Sequence, residues 1–145
     1  MKKITPFLWF DGRAGEAARF YVSIFENSKL VRESPMDAEF VLDGQELLAL
    51  NGGPQYAFTP AISLFVSCRS QAEIDRLWQA LGEGGKPGRC GWLTDKFGLS
   101  WQIVPAALGR LLDDPDPAKA RRVMDAMLAM TKLDVRGLER AHAGE

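Results

Sequence analysis

The sequence predicts an α+β fold in which two βαβββ units are followed by a helical C-terminal extension. Three observations carry this prediction. Strand-like and helix-like periodicities occur twice in the same order, the second run aligns with the first at a spacing of about 55 residues, and beyond Pro105 the pattern is helical only.

The segment Ile4 to Phe10 is apolar and aromatic and stops at Asp11-Gly12, as a buried strand entering a turn does. Between Ala14 and Glu26, Ala17, Phe20, Tyr21, Ile24 and Phe25 recur at the spacing of an amphipathic helix. From Lys29 the chain reads as extended. Glu39 to Leu42 and Gln45 to Leu50 flank Asp43-Gly44, a dipeptide suited to a tight hairpin turn. Asn51-Gly52-Gly53-Pro54 then breaks the pattern, and Ala57 to Pro60 continues as a loop.

The second unit opens with a strand at Ala61 to Ser67 and a helix from Ser70 to Leu81, where Ile74, Leu77, Trp78 and Leu81 form one stripe. Ser70 and Glu73 have the form of a capping box at its start. Gly82 to Gly88 reads as a flexible break. Arg89 to Thr94 and Leu99 to Val104 read as strands joined through Asp95-Lys96-Phe97-Gly98. A shift of 56 residues pairs Trp9 with Phe65, Tyr21 with Leu77 and Phe25 with Leu81. A shift of 54 pairs Gly44 with Gly98, Leu48 with Gln102 and Leu50 with Val104. In the tail, helices are expected at Ala106 to Leu112, at Ala118 to Met130 behind Asp116-Pro117, and at Val135 to Ala143. The stripe Val123, Met124, Met127, Leu128 and Met130 needs an apolar cover, from the domain or from a partner.

At 145 residues the chain is expected to form a single domain over 1–145, divided into a first unit at 3–50, a second at 61–104 and a tail at 105–145. Lys and Arg number 18 against 19 Asp and Glu, a net charge of −1, which argues against nucleic acid and acidic membranes as partners. Cys68 and Cys90 are too few for a disulfide framework, as in a reducing cytoplasm. The Met-Lys-Lys opening leads into an apolar run, Phe7 to Phe10, too short for a secretion signal, and no stretch approaches the ~20 apolar residues of a membrane span. A cytoplasmic protein is expected.

The two βαβββ units, the Phe20-Tyr21 pair and the hairpin Asp95 to Gly98 running into Trp101-Gln102-Ile103 together resemble the vicinal oxygen chelate superfamily of glyoxalases, bleomycin-resistance proteins and ring-cleaving dioxygenases, over residues 3–104. The strings Phe10-Asp11-Gly12, Leu50-Asn51-Gly52-Gly53, Cys90-Gly91-Trp92 and Ser100 to Pro105, with the helix start at Asp113 to Pro117, resemble its PhnB-like branch, whose members are often labelled 3-demethylubiquinone-9 3-methyltransferase. This resemblance implies strands curled into a cup with helices outside and a ligand cavity within, a homodimer, and a divalent metal held by His and Glu of the first and last strands of each unit. Gln102 stands at the position of the final Glu ligand and Leu48 at that of its counterpart. On the first strands, Thr5, Phe7 and Trp9 share one face, as do Ala61, Ser63 and Phe65, and none is His. The single histidine, His142, lies in the tail and reads as a mobile surface imidazole. No metal site and no cofactor are therefore expected.

A methyl donor such as S-adenosylmethionine would call for a Gly-rich turn from strand to helix, whereas Gly82-Glu83-Gly84-Gly85 follows a helix. Cys90 has no neighbouring base and reads as structural, and Cys68 as a small core residue. The acidic run Asp113 to Asp116 reads as a solvated helix start. Trp9, Phe7, Phe65 and Trp92 are expected to line the cup with Ser63, Ser100 and Gln102 as polar anchors and Glu46 at the rim, while Trp101 and Ile103 turn toward the helices. Whether those aromatics line an open pocket or fill it, the sequence leaves open. The leading expectation is a metal-free protein that binds a small aromatic or amphipathic molecule, with no catalytic residue assigned. The alternatives are an enzyme of the superfamily, metal-dependent or a methyltransferase, and a module whose tail helices serve dimerisation.

Overall fold

A computed structural model describes residues 2–145, in which the strands and helices form two compact units, one ending at Phe58 and the other running Thr59–Glu145. In the first, β1 (Phe7–Phe10), α1 (Ala14–Ile24), β2 (Lys29–Glu33), β3 (Asp37–Leu42) and β4 (Gln45–Asn51) build a sheet of order β1-β4-β3-β2. In the second, β5 (Leu64–Cys68), α2 (Gln71–Gly82), β6 (Lys86–Pro87), β7 (Trp92–Thr94) and β8 (Ser100–Pro105) repeat that order as β5-β8-β7-β6. Three helices follow, α3 (Ala107–Leu112), α4 (Pro117–Leu128) and α5 (Val135–Ala143). The architecture is the α+β pair of βαβββ units with a helical tail that the periodicities predict. No helix among the described residues is long and apolar enough to cross a membrane.

Alternation along the strands decides which face each helix covers. In the first sheet Leu8, Phe10, Ala38, Phe40, Leu47 and Ala49 are buried with Ala14, Ala17 and Tyr21 of α1. Small residues on α1 let the helix approach, and Tyr21 stacks against Phe40 with ring centroids 6.2 Å apart. In the second sheet Leu93, Trp101 and Ile103 are buried with Ile74, Leu77 and Leu81 of α2. Each such side chain contributes roughly 1.5–3 kcal/mol by leaving water. Ser70 caps α2 by accepting from the Glu73 amide at 3.1 Å, as the sequence pattern requires.

The turns are made in two ways. Asp43 and Gly44 have φ of 47° and 81°, the conformation that a two-residue hairpin between Leu42 and Gln45 demands. The longer turn from Thr94 to Ser100 is instead organised by one side chain. The buried Asp95 carboxylate accepts from the amides of Phe97 (2.8 Å) and Leu99 (3.1 Å) through Oδ1 and from the Trp101 indole (2.9 Å) through Oδ2.

The structure departs from the sequence reading in several places. Gly82 to Gly88 is no flexible break: Gly85 lies so close to the Thr94 carbonyl that a Cβ would approach within 2.0 Å, and Lys86 and Pro87 pair with Thr94 and Leu93 as the edge strand β6. A proline is tolerated there because an edge strand leaves one row of N–H groups unpaired. Arg89, Cys90 and Gly91 do not extend β7. Cys90 and Gly91 have φ of 59° and 83°, and their amides donate to the carbonyls of Met130 and Thr131, tying the tail to this sheet. β1 and β5 begin three residues later than expected, at Phe7 and Leu64. The repeat offset also changes. Phe7 lies opposite Leu48 as Phe65 lies opposite Gln102, so Phe7, and not Trp9, is the counterpart of Phe65, one full pleat away on the same face.

Val104, Leu108, Val123, Leu133 and Leu138 form the core of the tail, with Met127 and Met130 packed against it, so the methionine stripe is partly covered from within. His142 is not a mobile surface imidazole. Its Nε2 lies 2.7 Å from Asp114 Oδ2, and the Asp116 amide and then this imidazole hold the Asp114 carboxyl below its ordinary range. Asp116 caps α4 by accepting from the Ala118 amide at 2.9 Å.

Replacing Asp95 by Ala strands three donors in or near the core. Asp95→Ala is expected to lower stability by about 2–4 kcal/mol. A denaturant midpoint within error of wild type would show that the turn does not depend on this carboxylate.

Candidate functional site

In each unit the sheet face turned away from its helix collects the residues singled out by the sequence. In the second unit the register sets Phe65 and Trp92 on either side of Gln102, one strand away in each direction. Gln102 Nε2 donates to Ser63 Oγ at 3.0 Å. Ser63 precedes β5 and thereby joins this face. Ser100, two residues from Gln102 and opposite Thr94, is 4% exposed, whereas Phe65 is 61% exposed. Four of the predicted site residues, Ser63, Phe65, Trp92 and Gln102, are thus brought together, with Ser100 on the same face of β8.

The first unit presents Phe7 and Trp9 of β1 opposite Leu48 and Leu50 of β4. Phe7 is 57% exposed. Trp9 is anchored by its surroundings: its indole N–H donates to the Gly53 carbonyl at 2.9 Å, and Tyr56 meets its ring edge-on at 5.0 Å. Its ring lies where a Cβ on Gly52 would come within 2.3 Å, so a glycine at position 52 lets this indole approach the backbone. Asn51 has a role that the sequence does not reveal. Its Oδ1 accepts from the Ala14 amide at 2.8 Å, capping α1 in place of Arg13, and its Nδ2 donates to the Pro35 carbonyl. Across β3, Glu39 lies opposite Leu48, and Asp37 opposite Leu50 is paired with Arg32, whose guanidinium, helped by Ser34, holds the carboxyl well below the usual range. Glu46 accepts from the Lys2 amide at 3.0 Å.

At the positions where the resemblance implies metal ligands, the second unit has an amide, Gln102, between Phe65 and Trp92, and the first unit a hydrocarbon, Leu48, between Phe7 and Glu39. Neither a lone neutral amide nor a lone carboxylate fits a divalent ion, which takes several converging imidazole, thiolate or carboxylate groups. No group of three or more His, Cys, Asp or Glu among the described residues is placed to hold one.

A parallel pair of first and last strands, a helix on one face and a meander completing each sheet, all duplicated, define the glyoxalase/bleomycin resistance/dioxygenase class. Within that class the chain belongs to the PhnB-like 3-demethylubiquinone-9 3-methyltransferase family, whose sequence profile matches residues 2–104. It is 36% identical to a PhnB protein from Bacillus cereus, which it matches over 72% of its own length and 100% of the other's, with a TM-score of 0.67. A protein from Pseudomonas aeruginosa is 26% identical over 72% of this chain and 98% of its own, with a TM-score of 0.62. A glyoxalase-related enzyme from Fulvimarina pelagi, 15% identical over 72% of this chain and 88% of its own with a TM-score of 0.51, shares the fold. No curated protein matches the chain significantly.

Two measurements check the site's framework. Gly52→Ala forces its new methyl against the Trp9 ring, and a loss of about 1–3 kcal/mol with a shifted tryptophan emission is expected; unchanged emission would place the indole elsewhere. Cys68 is 1% exposed, and burial, reinforced by the negative charge of Glu73, pushes its thiol up to about 12. Its reactive thiolate is then scarce below that pH, so iodoacetamide at pH 8 should modify Cys90 while sparing Cys68 until the protein unfolds. Labelling of Cys68 at the rate of Cys90 would contradict this burial.

Proposed function

We propose that this protein binds a small aromatic or amphipathic molecule, without a metal ion, on the face of the second sheet turned away from α2. The observation that carries the reading is the row Phe65–Gln102–Trp92, in which two aromatic side chains flank an amide already oriented by Ser63. Aromatic rings supply area and stacking, and a fixed polar group supplies direction, the usual division of labour in small-molecule sites. In the first unit Phe7 and Trp9 offer apolar surface. With its N–H committed to Gly53, Trp9 contributes a ring and no polar anchor.

Gln102 supports the metal-free part of the reading, because a neutral amide holding a serine is a poor ligand for a divalent cation. The methyltransferase label of the family does not enter the proposal. The chain's Gly-rich stretch, Gly82 to Gly85, leaves α2 and enters β6, the reverse of the strand-to-helix turn that cradles such donors. We further propose that the chain works as a cytoplasmic homodimer, the arrangement its superfamily resemblance implies.

The test is calorimetry and tryptophan fluorescence with naphthalene, quinoline, indole and 1-anilinonaphthalene. Saturable one-site binding is expected for at least one of them, weakened about tenfold or more, some 1.4 kcal/mol, in Phe65→Ala and Gln102→Leu. Silence of the wild-type protein across the panel removes the reading. So does stoichiometric Zn, Mn, Ni or Fe in protein purified without chelator. Sedimentation as a monomer at micromolar concentration removes the dimer.

A further inference from the structure

Resting on the binding role just proposed, we infer that the second-sheet face selects an uncharged planar ligand carrying a hydrogen-bond donor and acceptor on one edge, as in a primary amide, and discriminates against carboxylates and amidines of the same shape.

The inference starts from which hydrogen-bonding valences the fold has already used. Gln102 Nε2 is committed to Ser63 Oγ, and no protein donor reaches Gln102 Oε1. Ser63, accepting that bond, keeps its hydroxyl hydrogen free to donate. Ser100 is 4% exposed, yet its hydroxyl makes no hydrogen bond within the protein. No fully enclosed side-chain nitrogen or oxygen among the described residues lacks a partner, so the Ser100 hydroxyl borders accessible space and does not sit in a sealed core. What remains on offer beside the Phe65 and Trp92 rings is one carbonyl acceptor and two hydroxyl groups.

Charge is the second half of the argument. Lys86 is the one charged side chain in the four strands of this sheet, and it stands opposite Thr94 on the exposed edge strand β6, with β7 between it and β8. A carboxylate laid against Gln102 would set its negative oxygens beside Oε1 with no countercharge. An amidinium would find only neutral acceptors, the Gln102 carbonyl and the hydroxyl oxygens, and no carboxylate in these strands. Either ion loses hydration that the half-buried surface does not return, whereas a neutral amide gives its N–H to Oε1 and takes a hydroxyl hydrogen on its carbonyl. Sites built to satisfy a specific polar edge reject analogues that leave it unpaired, here by an expected factor of about ten to a hundred.

The experiment compares 2-naphthamide, 2-naphthoate and 2-naphthamidine by calorimetry at pH 7.5 with wild type, Gln102→Glu and Gln102→Leu. Wild type should bind the amide at least about tenfold more tightly than either ion. Gln102→Glu should invert the order, gaining at least about tenfold for the amidine. Gln102→Leu should abolish the preference while still binding naphthalene, which keeps the inference testable should the glutamate variant fail to fold. A wild-type preference for either ion, equal affinity for all three, or an unchanged order in the folded variants overturns the inference. Binding of naphthalene or quinoline with none of the three amide-series probes overturns it while leaving the binding reading intact; no binding by any probe overturns both.

Discussion

The second unit depends on one carboxylate. Asp95 gathers the Phe97 and Leu99 amides and the Trp101 indole N–H onto its two oxygens, and these contacts fix the five-residue turn, the start of β8 and the side on which its largest residue lies. With Trp101 committed to the α2 face, the two-residue period of the strand leaves no choice for its neighbours: Ser100 and Gln102 point the other way. A slip of one residue would carry the indole out of the core and the amide into it, so the polarity of the candidate site is set by a hydrogen bond on the opposite side of the sheet.

The first unit solves the same problem differently. Its hairpin closes through the backbone, with Asp43 and Gly44 in the left-handed conformation of a two-residue turn and the Asp43 amide donating to Ser28 Oγ at 3.1 Å. The organising polar group is instead the final residue of the last strand, Asn51, which caps α1, bonds the Pro35 carbonyl and leads into the two glycines beside Trp9. Both units therefore place one multivalent side chain beside the last strand: Asp95 holds a turn and an indole, and Asn51 holds a helix start and a loop carbonyl.

What was legible in the sequence follows from this physics. Alternation and helical spacing are local, so both sheets' long strands, both crossover helices and the tail helices could be read, and the period of two put Ser63 and Phe65 on one face and Gln102 opposite to Trp101. Strand β6 was not legible, since two residues including Pro87 carry no periodicity and are held only by pairing with β7. Nor was the break at Cys90, a non-glycine residue kept at φ 59° by a bond from its amide to Met130, 40 positions along the chain. The flanking of Gln102 by Phe65 and Trp92 is a property of register between strands distant in sequence, which the repeat approximated but missed by one pleat in β1. The reading of His142 as a mobile imidazole failed because its ring nitrogen meets Asp114, and the bond from the Trp9 indole to Gly53 was likewise hidden, since composition and spacing reveal neither partner.

A glutamine where the superfamily resemblance implies an acidic ligand changes the electrostatics of this sheet face. A glutamate between Phe65 and Trp92 would place a negative charge on a half-buried face whose strands offer hydroxyl donors but no cation beside it. The amide needs none. Ser63 satisfies one end of it and no protein donor reaches the other, so this face presents an oriented neutral dipole between two aromatic side chains. On the proposed reading, recognition by such a surface rests on whether polar atoms find partners and not on net charge, so binding of a neutral molecule there would be insensitive to ionic strength.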